Sequence, residues 1–315
     1  MHKITPAAFA ELRDARAVRP DQIAAAFAAR KRRPVLGDDG RLFIVAADHP
    51  ARGALSVGDE PMAMADRYVL LERLATALSH PAVDGVLGTP DIIDDLALLG
   101  ALDDKVVVGS MNRGGLRGSV FEIDDRYTSY DVQTMVARGI DFAKALVRID
   151  LDDPATPRTL AETARVVGEA ASAGLPIMLE PFISARHDGR VVNDLTTDSV
   201  IRSIAIASAL GADSAYTWMK LPVVADMERV VASTTMPVLL LGGDSGEDPD
   251  ERFASWERAL ALPGVRGLTV GRTLLYPPDG DVLGAVDVAA RMVHPTLGAG
   301  ASTDTRIEHA VKERA

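Results

Sequence analysis

Two lysines lie within strongly apolar segments, where a charged side chain is unusual. Lys220 lies in "GADSAYTWMKLPVV", and Lys144 lies in "FAKALVRID". An amine attacks a carbonyl carbon to form an imine only when it is unprotonated, so a nucleophilic lysine needs its pKa lowered from about 10.4 to near 7. Desolvation and a neighbouring cation lower a lysine pKa in this way. The other four lysines lie outside such segments or at the beginning of one, so imine chemistry has two candidates, Lys144 and Lys220.

Three polar side chains near the ends of apolar segments could move protons for such a reaction. Asp48 ends the segment "RLFIVAAD", Glu180 lies in "PIMLEPFIS", and Tyr216 precedes Lys220 by four residues. Carbon–carbon cleavage through an imine needs a base that takes the proton from the hydroxyl that becomes the new carbonyl. The sequence does not choose among these three for that role.

Glycines in two other segments favour an anion site. "LLLGGDSGED" contains Gly242 and Gly243, and "LTVGRTLLYP" contains Gly271 followed by Arg272. Glycine lets backbone N–H groups approach an anion closely, and an arginine adds a charge-assisted hydrogen bond. These four residues therefore predict a phosphate site; the alternative is that the glycines only serve tight turns.

The elements that position these residues are eight short apolar runs separated by alanine-rich helical stretches. Eight strand-and-helix units predict a single α/β domain, a (β/α)8 TIM barrel, in preference to a doubly wound sheet. The runs span residues 41–49, 83–90, 105–112, 142–150, 176–184, 212–221, 237–244 and 265–272.

Strand parity predicts which side chains point into the barrel. In the fourth run every second residue from Ala143 to Ile149 is apolar, which suits packing on helices, so the alternate residues point inward. His49 falls on the outward parity of the first run and is predicted to have a structural, hydrogen-bonding role. The same alternation in the other runs predicts that Tyr216 also points inward, and that five charged residues converge at the catalytic mouth of the barrel: Asp48, Lys144, Arg148, Glu180 and Lys220.

Composition excludes several classes of function. The formal charge of −11 argues against a nucleic-acid groove, which needs concentrated lysine and arginine. The chain has no cysteine, so it has neither disulfides nor cysteine-ligated metals. No apolar stretch approaches membrane-spanning length and no signal-peptide pattern is present, so we expect a cytoplasmic protein without a membrane partner.

The chain divides into three parts on these patterns. Residues 1–40 predict a helical extension with helices in "TPAAFAELRDARA" and "PDQIAAAFAARKRR", closed by the turn "GDDG". Residues 41–294 form the barrel, and residues 295–315 are expected to be a C-terminal tail that is frayed or contacts another copy in a homo-oligomer.

In their order along the chain, these motifs resemble those of a known family. "AADH" after strand one, "GIDFAKALVRID" at strand four, "IMLEPF" at strand five, the lysine at strand six, "GGD" after strand seven and "VGR" after strand eight are similar to the class I aldolases. The resemblance is to the superfamily of archaeal-type fructose-bisphosphate, tagatose-bisphosphate and deoxyribose-phosphate aldolases, and it covers about residues 40 to 290. "TWMKLPVVADMERV" looks most like a branch associated with inositol catabolism.

The resemblance implies a carbon–carbon lyase that uses a lysine Schiff base on a phosphorylated sugar or keto acid and needs no metal or cofactor. Its nucleophile corresponds to Lys220 and its strand-one acid to Asp48, with Lys144 and Glu180 as interior residues and Gly243, Gly271 and Arg272 in the phosphate loops. In the inositol branch, the substrate would be 2-deoxy-5-keto-gluconate 6-phosphate, cleaved to dihydroxyacetone phosphate and malonate semialdehyde.

One departure from the family keeps the nucleophile open. In many relatives the lysine follows "GAD" by three residues, where this chain has Tyr216, so either Lys220 or Lys144 could form the imine. Other functions on the same barrel are a metal-dependent lyase, a sugar-phosphate isomerase without an imine, and a non-catalytic barrel that binds a sugar phosphate.

Overall fold

A closed barrel of eight parallel strands forms the centre of the computed structural model, which describes residues 4–113, 115–242 and 249–295. The described strands are β1 (Leu42–Ala46), β2 (Gly85–Gly88), β3 (Val106–Ser110), β4 (Phe142–Ile149), β5 (Ile177–His187), β6 (Arg190–Asn193), β7 (Thr217–Pro222), β8 (Val238–Leu241) and β9 (Val265–Val270). The barrel strands are hydrogen-bonded in the order β4-β3-β2-β1-β9-β8-β7-β5, and a pairing between β4 and β5 closes the ring. This confirms the predicted (β/α)8 fold.

Helices surround the barrel, and polar side chains cap several of them. Asp66, for example, accepts hydrogen bonds from the Tyr68 and Val69 N–H groups and so begins α3. A short 3-10 helix, His49–Arg52, follows β1. The α-helices are α1 (Pro6–Val18), α2 (Asp21–Ala29), α3 (Arg67–Leu78), α4 (Pro90–Leu98), α5 (Val132–Ala137), α6 (Thr156–Ser172), α7 (Thr197–Ser208), α8 (Met227–Ala232), α9 (Pro249–Leu260), α10 (Arg272–Leu275) and α11 (Val282–Val293).

Two apolar layers pack on the opposite faces of the strands. Outward-facing residues such as Ala143 and Val147 of β4 pack with the helices. Inward-facing residues fill the lower barrel, where the rings of Phe142 and Trp218 meet edge to face with centroids 5.4 Å apart. The interior is therefore apolar below and leaves the polar residues at the carboxyl ends of the strands.

Ion pairs close the amino end of the barrel, and one of them involves a residue that was predicted to lie in the second helix. The helix α2 ends at Ala29 rather than at residue 33, because Arg30 turns inward to pair with Asp141 at 3.0 Å. Nearby, His294 lies between two carboxylates, with Nδ1 2.5 Å from Asp39 and Nε2 3.0 Å from Asp84.

A hairpin that the strand prediction omitted extends β5 beyond the barrel. The antiparallel pair β5–β6 turns at Asp188 and Gly189, whose φ angles of 48° and 77° are left-handed. An Asp-Gly pair is a strong hairpin signal because both positions require positive φ, so the sequence contained the information. Of the predicted tail, residues 296–315 lie outside the described residues.

Candidate active site

A cavity of about 950 Å³ opens at the carboxyl ends of the barrel strands. Lys220 of β7 and Glu180 of β5 line it, as do Arg148 of β4 and residues of the loops above. This is the end of the barrel at which enzymes of this fold carry their active sites. A volume in this range accommodates a small metabolite.

Four of the predicted interior residues form one continuous charged network. The Nζ atom of Lys144 lies 2.8 Å from Oδ2 of Asp48 and 2.7 Å from Oε2 of Glu180. The Nζ atom of Lys220 lies 3.1 Å from Oε1 of the same Glu180. Strand parity explains the convergence, since the alternate residues of β4, β5 and β7 all face the barrel axis.

The network shifts the pKa values of Lys144, Asp48 and Glu180. Burial alone would lower the pKa of Lys144, but the carboxylates of Asp48 and Glu180 outweigh it and raise that pKa. Burial would raise the pKa of Asp48 and of Glu180, but the charge of Lys144, with that of Lys220, lowers both. Lys144 is therefore an ammonium group held between two carboxylates.

Arg148, the remaining predicted cation of β4, pairs with a residue that sequence reasoning missed. Its Nη1 atom donates to Glu122, which lies in the long loop between β3 and α5 and is 2% exposed. Asn112 anchors the start of this loop, since its side chain bonds both the N–H and the carbonyl of Leu146. Nothing in the sequence around Glu122 indicates this position, because irregular loops carry no periodicity.

The predicted phosphate residues that the structure describes lie together on one wall of the cavity. Gly242, Gly271 and Arg272 all line it, and Gly243 lies outside the described residues. A Cβ on Gly271 would come 2.3 Å from the Ala46 carbonyl oxygen, so close packing also requires this glycine. Arg252 and Ser255 of α9, which were not predicted, also line the cavity.

Tyr216 is not part of this site, contrary to the parity prediction. The predicted strand over 212–221 begins only at Thr217, and the Tyr216 carbonyl accepts from the N–H of Ile177, the first residue of β5. Tyr216 is therefore at the amino end of the barrel, where 39% of it is exposed. The turn in which Asp213 accepts from the Ala215 N–H uses the residues that parity assigned to the strand.

His49 lines the cavity, although parity predicted a structural role for it. The strand β1 ends at Ala46, so alternation does not extend to the 3-10 helix that holds His49. Its Nδ1 atom is buried without a hydrogen-bond partner in the described part of the chain, 3.8 Å from Asp48. Burial, reinforced by Arg272 and Lys220 against the effect of Asp48, lowers its pKa to about 4.

The cavity is strongly cationic although the chain is acidic. Six arginines line it together with Lys220, whereas the carboxylates among its described lining residues are Glu122 and Glu180. The arginines are Arg52, Arg117, Arg148, Arg190, Arg252 and Arg272. Such a lining attracts an anionic ligand.

The described residues lack two features, a cluster of metal-ligating side chains and a membrane-spanning helix. They contain no group of three or more histidine and acidic side chains arranged to hold a metal ion. None of the helices in the described ranges is both long enough and apolar enough to cross a membrane.

A family model described as Cgl0159-like matches residues 40–290. The chain belongs to the Cgl0159-like family. The crystal structure of Cgl0159 from Corynebacterium glutamicum is 69% identical, with a TM-score of 0.91, and the match covers 93% of this chain and 99% of that one. None of the curated proteins compared with the chain is significantly similar to it.

More distant solved structures include archaeal aldolases of the same fold. An archaeal fructose 1,6-bisphosphate aldolase is 22% identical with a TM-score of 0.60, over 87% of this chain and 99% of that one. Another archaeal fructose-1,6-bisphosphate aldolase, with its catalytic lysine covalently bound to the carbinolamine intermediate of the substrate, is 21% identical with a TM-score of 0.60, over 86% and 99%. At these identities the likeness is one of fold.

Proposed function

We propose that this protein is a class I aldolase, which breaks or forms a carbon–carbon bond in a phosphorylated ketose or keto-sugar acid through an imine on Lys220. The observation that carries the proposal is the position of Lys220. Its side chain is buried, faces a cationic cavity at the carboxyl ends of the barrel strands, and shares Glu180 with a second lysine.

The contacts favour Lys220 over Lys144 as the nucleophile. Lys144 is held between two carboxylates, which favours the ammonium form and removes the lone pair that attack requires. It is also absent from the described lining of the cavity, whereas Lys220 is part of that lining and has one carboxylate neighbour, which Lys144 partly neutralises. We assign Lys144 the task of holding Glu180 in place.

Glu180 is the proposed proton carrier for imine formation. It takes a proton from Lys220, whose free amine adds to the substrate carbonyl, and returns a proton as the carbinolamine loses water to give the iminium ion. The bond between the carbons α and β to the iminium carbon then breaks. Its electron pair forms the carbon–carbon double bond of an enamine, while the π electrons of the iminium move to nitrogen. The hydroxyl on the departing carbon loses its proton to a base and becomes a carbonyl; protonation of the enamine and hydrolysis release the second product.

Gly242, Gly243, Gly271 and Arg272 are the proposed phosphate site. The three of them that the structure describes line the cavity wall next to β8 and β9, and Arg252 adds a second guanidinium there. A phosphate bound at this wall would hold the reacting carbons above Lys220, and such positioning supplies much of the rate enhancement in enzymes.

The substrate we propose to test first is 2-deoxy-5-keto-gluconate 6-phosphate. It combines a phosphate with a carboxylate, which suits a cavity lined by six arginines, and the sequence resemblance to the inositol-catabolism branch favours it. Fructose 1,6-bisphosphate, named by the archaeal structures, is the alternative within the same reaction class.

Borohydride trapping tests the proposal. Reduction in the presence of dihydroxyacetone phosphate, which the proposed cleavage releases, should add the mass of the reduced adduct to the peptide that contains Lys220. Lys220→Arg should abolish labelling, and Lys31→Arg, at an exposed site, should not. Labelling on the peptide that contains Lys144 would identify Lys144, instead of Lys220, as the nucleophile. Turnover of a phosphorylated substrate without any labelling would exclude the imine and favour a metal-dependent lyase or an isomerase.

A further inference from the structure

Arg52 has a backbone that its neighbours hold in place from several sides. It is the last residue of the 3-10 helix after β1, where its carbonyl accepts from the Arg117 N–H at 2.9 Å. The preceding Ala51 carbonyl accepts from Arg113 at 3.0 Å, and Gly53 ends the helix with a left-handed φ of 74°. The base of the Arg52 side chain therefore has a defined position at the cavity mouth.

The guanidinium of Arg52 has no such support. It makes no ion pair or hydrogen bond with the described residues, and its Nε atom is fully buried without a partner. Arg148, in the same cavity, is instead paired with Glu122. Burial, with the nearby charge of Arg148, lowers the pKa of Arg52 to about 10. A half-buried cation without a partner costs free energy unless a ligand supplies the anion.

The charges around Arg52 favour a ligand group that brings a single negative charge. Besides the guanidinium of Arg148, three carboxylates act on Arg52, those of Glu180, Asp48 and Glu122. These carboxylates repel a phosphate, which carries nearly two negative charges, more strongly than they repel a carboxylate, which carries one.

We propose that Arg52 binds a carboxylate of the substrate. The guanidinium fork matches the two oxygens of a carboxylate and forms paired hydrogen bonds with it. The inference rests on the proposed function, and it narrows the substrate class to phosphorylated keto-sugar acids. Fructose 1,6-bisphosphate would then be a poor ligand, because it would place a second phosphate at Arg52.

Calorimetric titration with two matched ligands tests the assignment. 6-Phosphogluconate and sorbitol 6-phosphate have the same six-carbon chain and phosphate, and differ at C1, which is a carboxylate in one and an alcohol in the other. We expect the wild type to bind 6-phosphogluconate at least about tenfold more tightly, and Arg52→Gln to lose this preference while its affinity for sorbitol 6-phosphate changes by less than about threefold.

Arg190→Gln is the matched control, since Arg190 is an exposed arginine at the rim of the same cavity. It removes the same charge and should keep the preference for the carboxylate. The assignment would be overturned if Arg52→Gln bound both ligands equally more weakly, or if Arg190→Gln lost the preference for 6-phosphogluconate to the same extent as Arg52→Gln. It would also be overturned if the wild type bound the two ligands with equal affinity, or bound neither at millimolar concentration.

Two further measurements separate this inference from the aldolase proposal. Dihydroxyacetone phosphate has no carboxylate, so Arg52→Gln should be labelled by borohydride as the wild type is. If no variant and no wild-type protein is labelled but the wild type still prefers 6-phosphogluconate, the aldolase proposal is rejected and the carboxylate site is kept. If labelling occurs but the wild type does not prefer 6-phosphogluconate, the carboxylate site is rejected and the aldolase proposal is kept. Sorbitol 1,6-bisphosphate binding more tightly than 6-phosphogluconate, with dependence on Arg52, would replace the carboxylate by a phosphate.

Discussion

The side chains of Lys144 and Glu180 form a buried ion pair in which Nζ and Oε2 lie 2.7 Å apart inside the barrel. Each residue also has a second partner of opposite charge, Asp48 for Lys144 and Lys220 for Glu180. The ion pair with Lys144 holds the Glu180 carboxylate in the position from which it contacts Lys220.

Lys144→Met should lower the free energy of unfolding by about 3–5 kcal/mol, because it removes the ammonium group that pairs with both Asp48 and Glu180 and leaves only Glu180 paired, with Lys220. Urea denaturation near pH 7 measures this, with Lys31→Met, at an exposed site, as the control. Adding Asp48→Asn should recover part of the loss, since it removes one of the unpaired charges. A Lys144→Met protein within about 1 kcal/mol of the wild type would contradict the buried network.

Tyr216→Phe should leave borohydride labelling and turnover unchanged within about twofold, because Tyr216 is at the amino end of the barrel, away from the site. Glu180→Gln is the contrasting variant, and it should lower the rate of labelling by at least about a hundredfold, since the amide cannot accept the proton from Lys220. A large effect of Tyr216→Phe would place the reaction elsewhere.

His49 should titrate with a midpoint near pH 4, because burial lowers its pKa to about 4. NMR spectra of the histidine ring protons, with His49→Gln to assign the signal, would follow this directly. The lowered pKa also reduces the free energy of unfolding as the pH falls from about 6.5 to about 4. In this range the histidine binds a proton in the unfolded chain but not in the folded protein. A midpoint at or above pH 6 would mean that the side chain is solvated.

His294 should make stability depend on pH in the opposite sense. Burial alone would lower its pKa, but the hydrogen bonds to Asp84 and Asp39 outweigh it, so the pKa is raised. The contribution of His294 to the free energy of unfolding is therefore complete below its pKa in the unfolded chain, about 6.5. It is lost as the pH rises through its higher pKa in the folded protein. The stability difference between wild type and His294→Gln should shrink from about pH 6 to pH 9, and His187→Gln, at an exposed site, is the control variant.

Strand alternation explains how much of the site could be predicted from sequence. Lys144, Glu180 and Lys220 lie well inside regular strands, so a period of two placed them together correctly. Tyr216 and His49 lie just outside the strand ends, where a turn and a 3-10 helix change the direction of side chains, and the same rule was wrong for both.

Loop residues limited the prediction in a different way. Glu122 reaches the cavity from an irregular loop and Arg52 from the end of a short 3-10 helix. Their positions depend on backbone hydrogen bonds between segments distant in sequence, such as that from the Arg117 N–H to the Arg52 carbonyl. The residue Arg52 in "ADHPARG" follows the first strand closely enough to be a candidate, but its side-chain direction required the structure.

The hairpin β5–β6 supplies Val191, Val192 and Asn193 to the cavity wall, although β6 lies outside the closed ring of strands. The charged network sits on strands that this hairpin does not interrupt. This part of the cavity wall can therefore be varied without changing a residue of the charged network. A library restricted to residues 188–195 would reshape the cavity while Lys220 and its partners stay in their original framework.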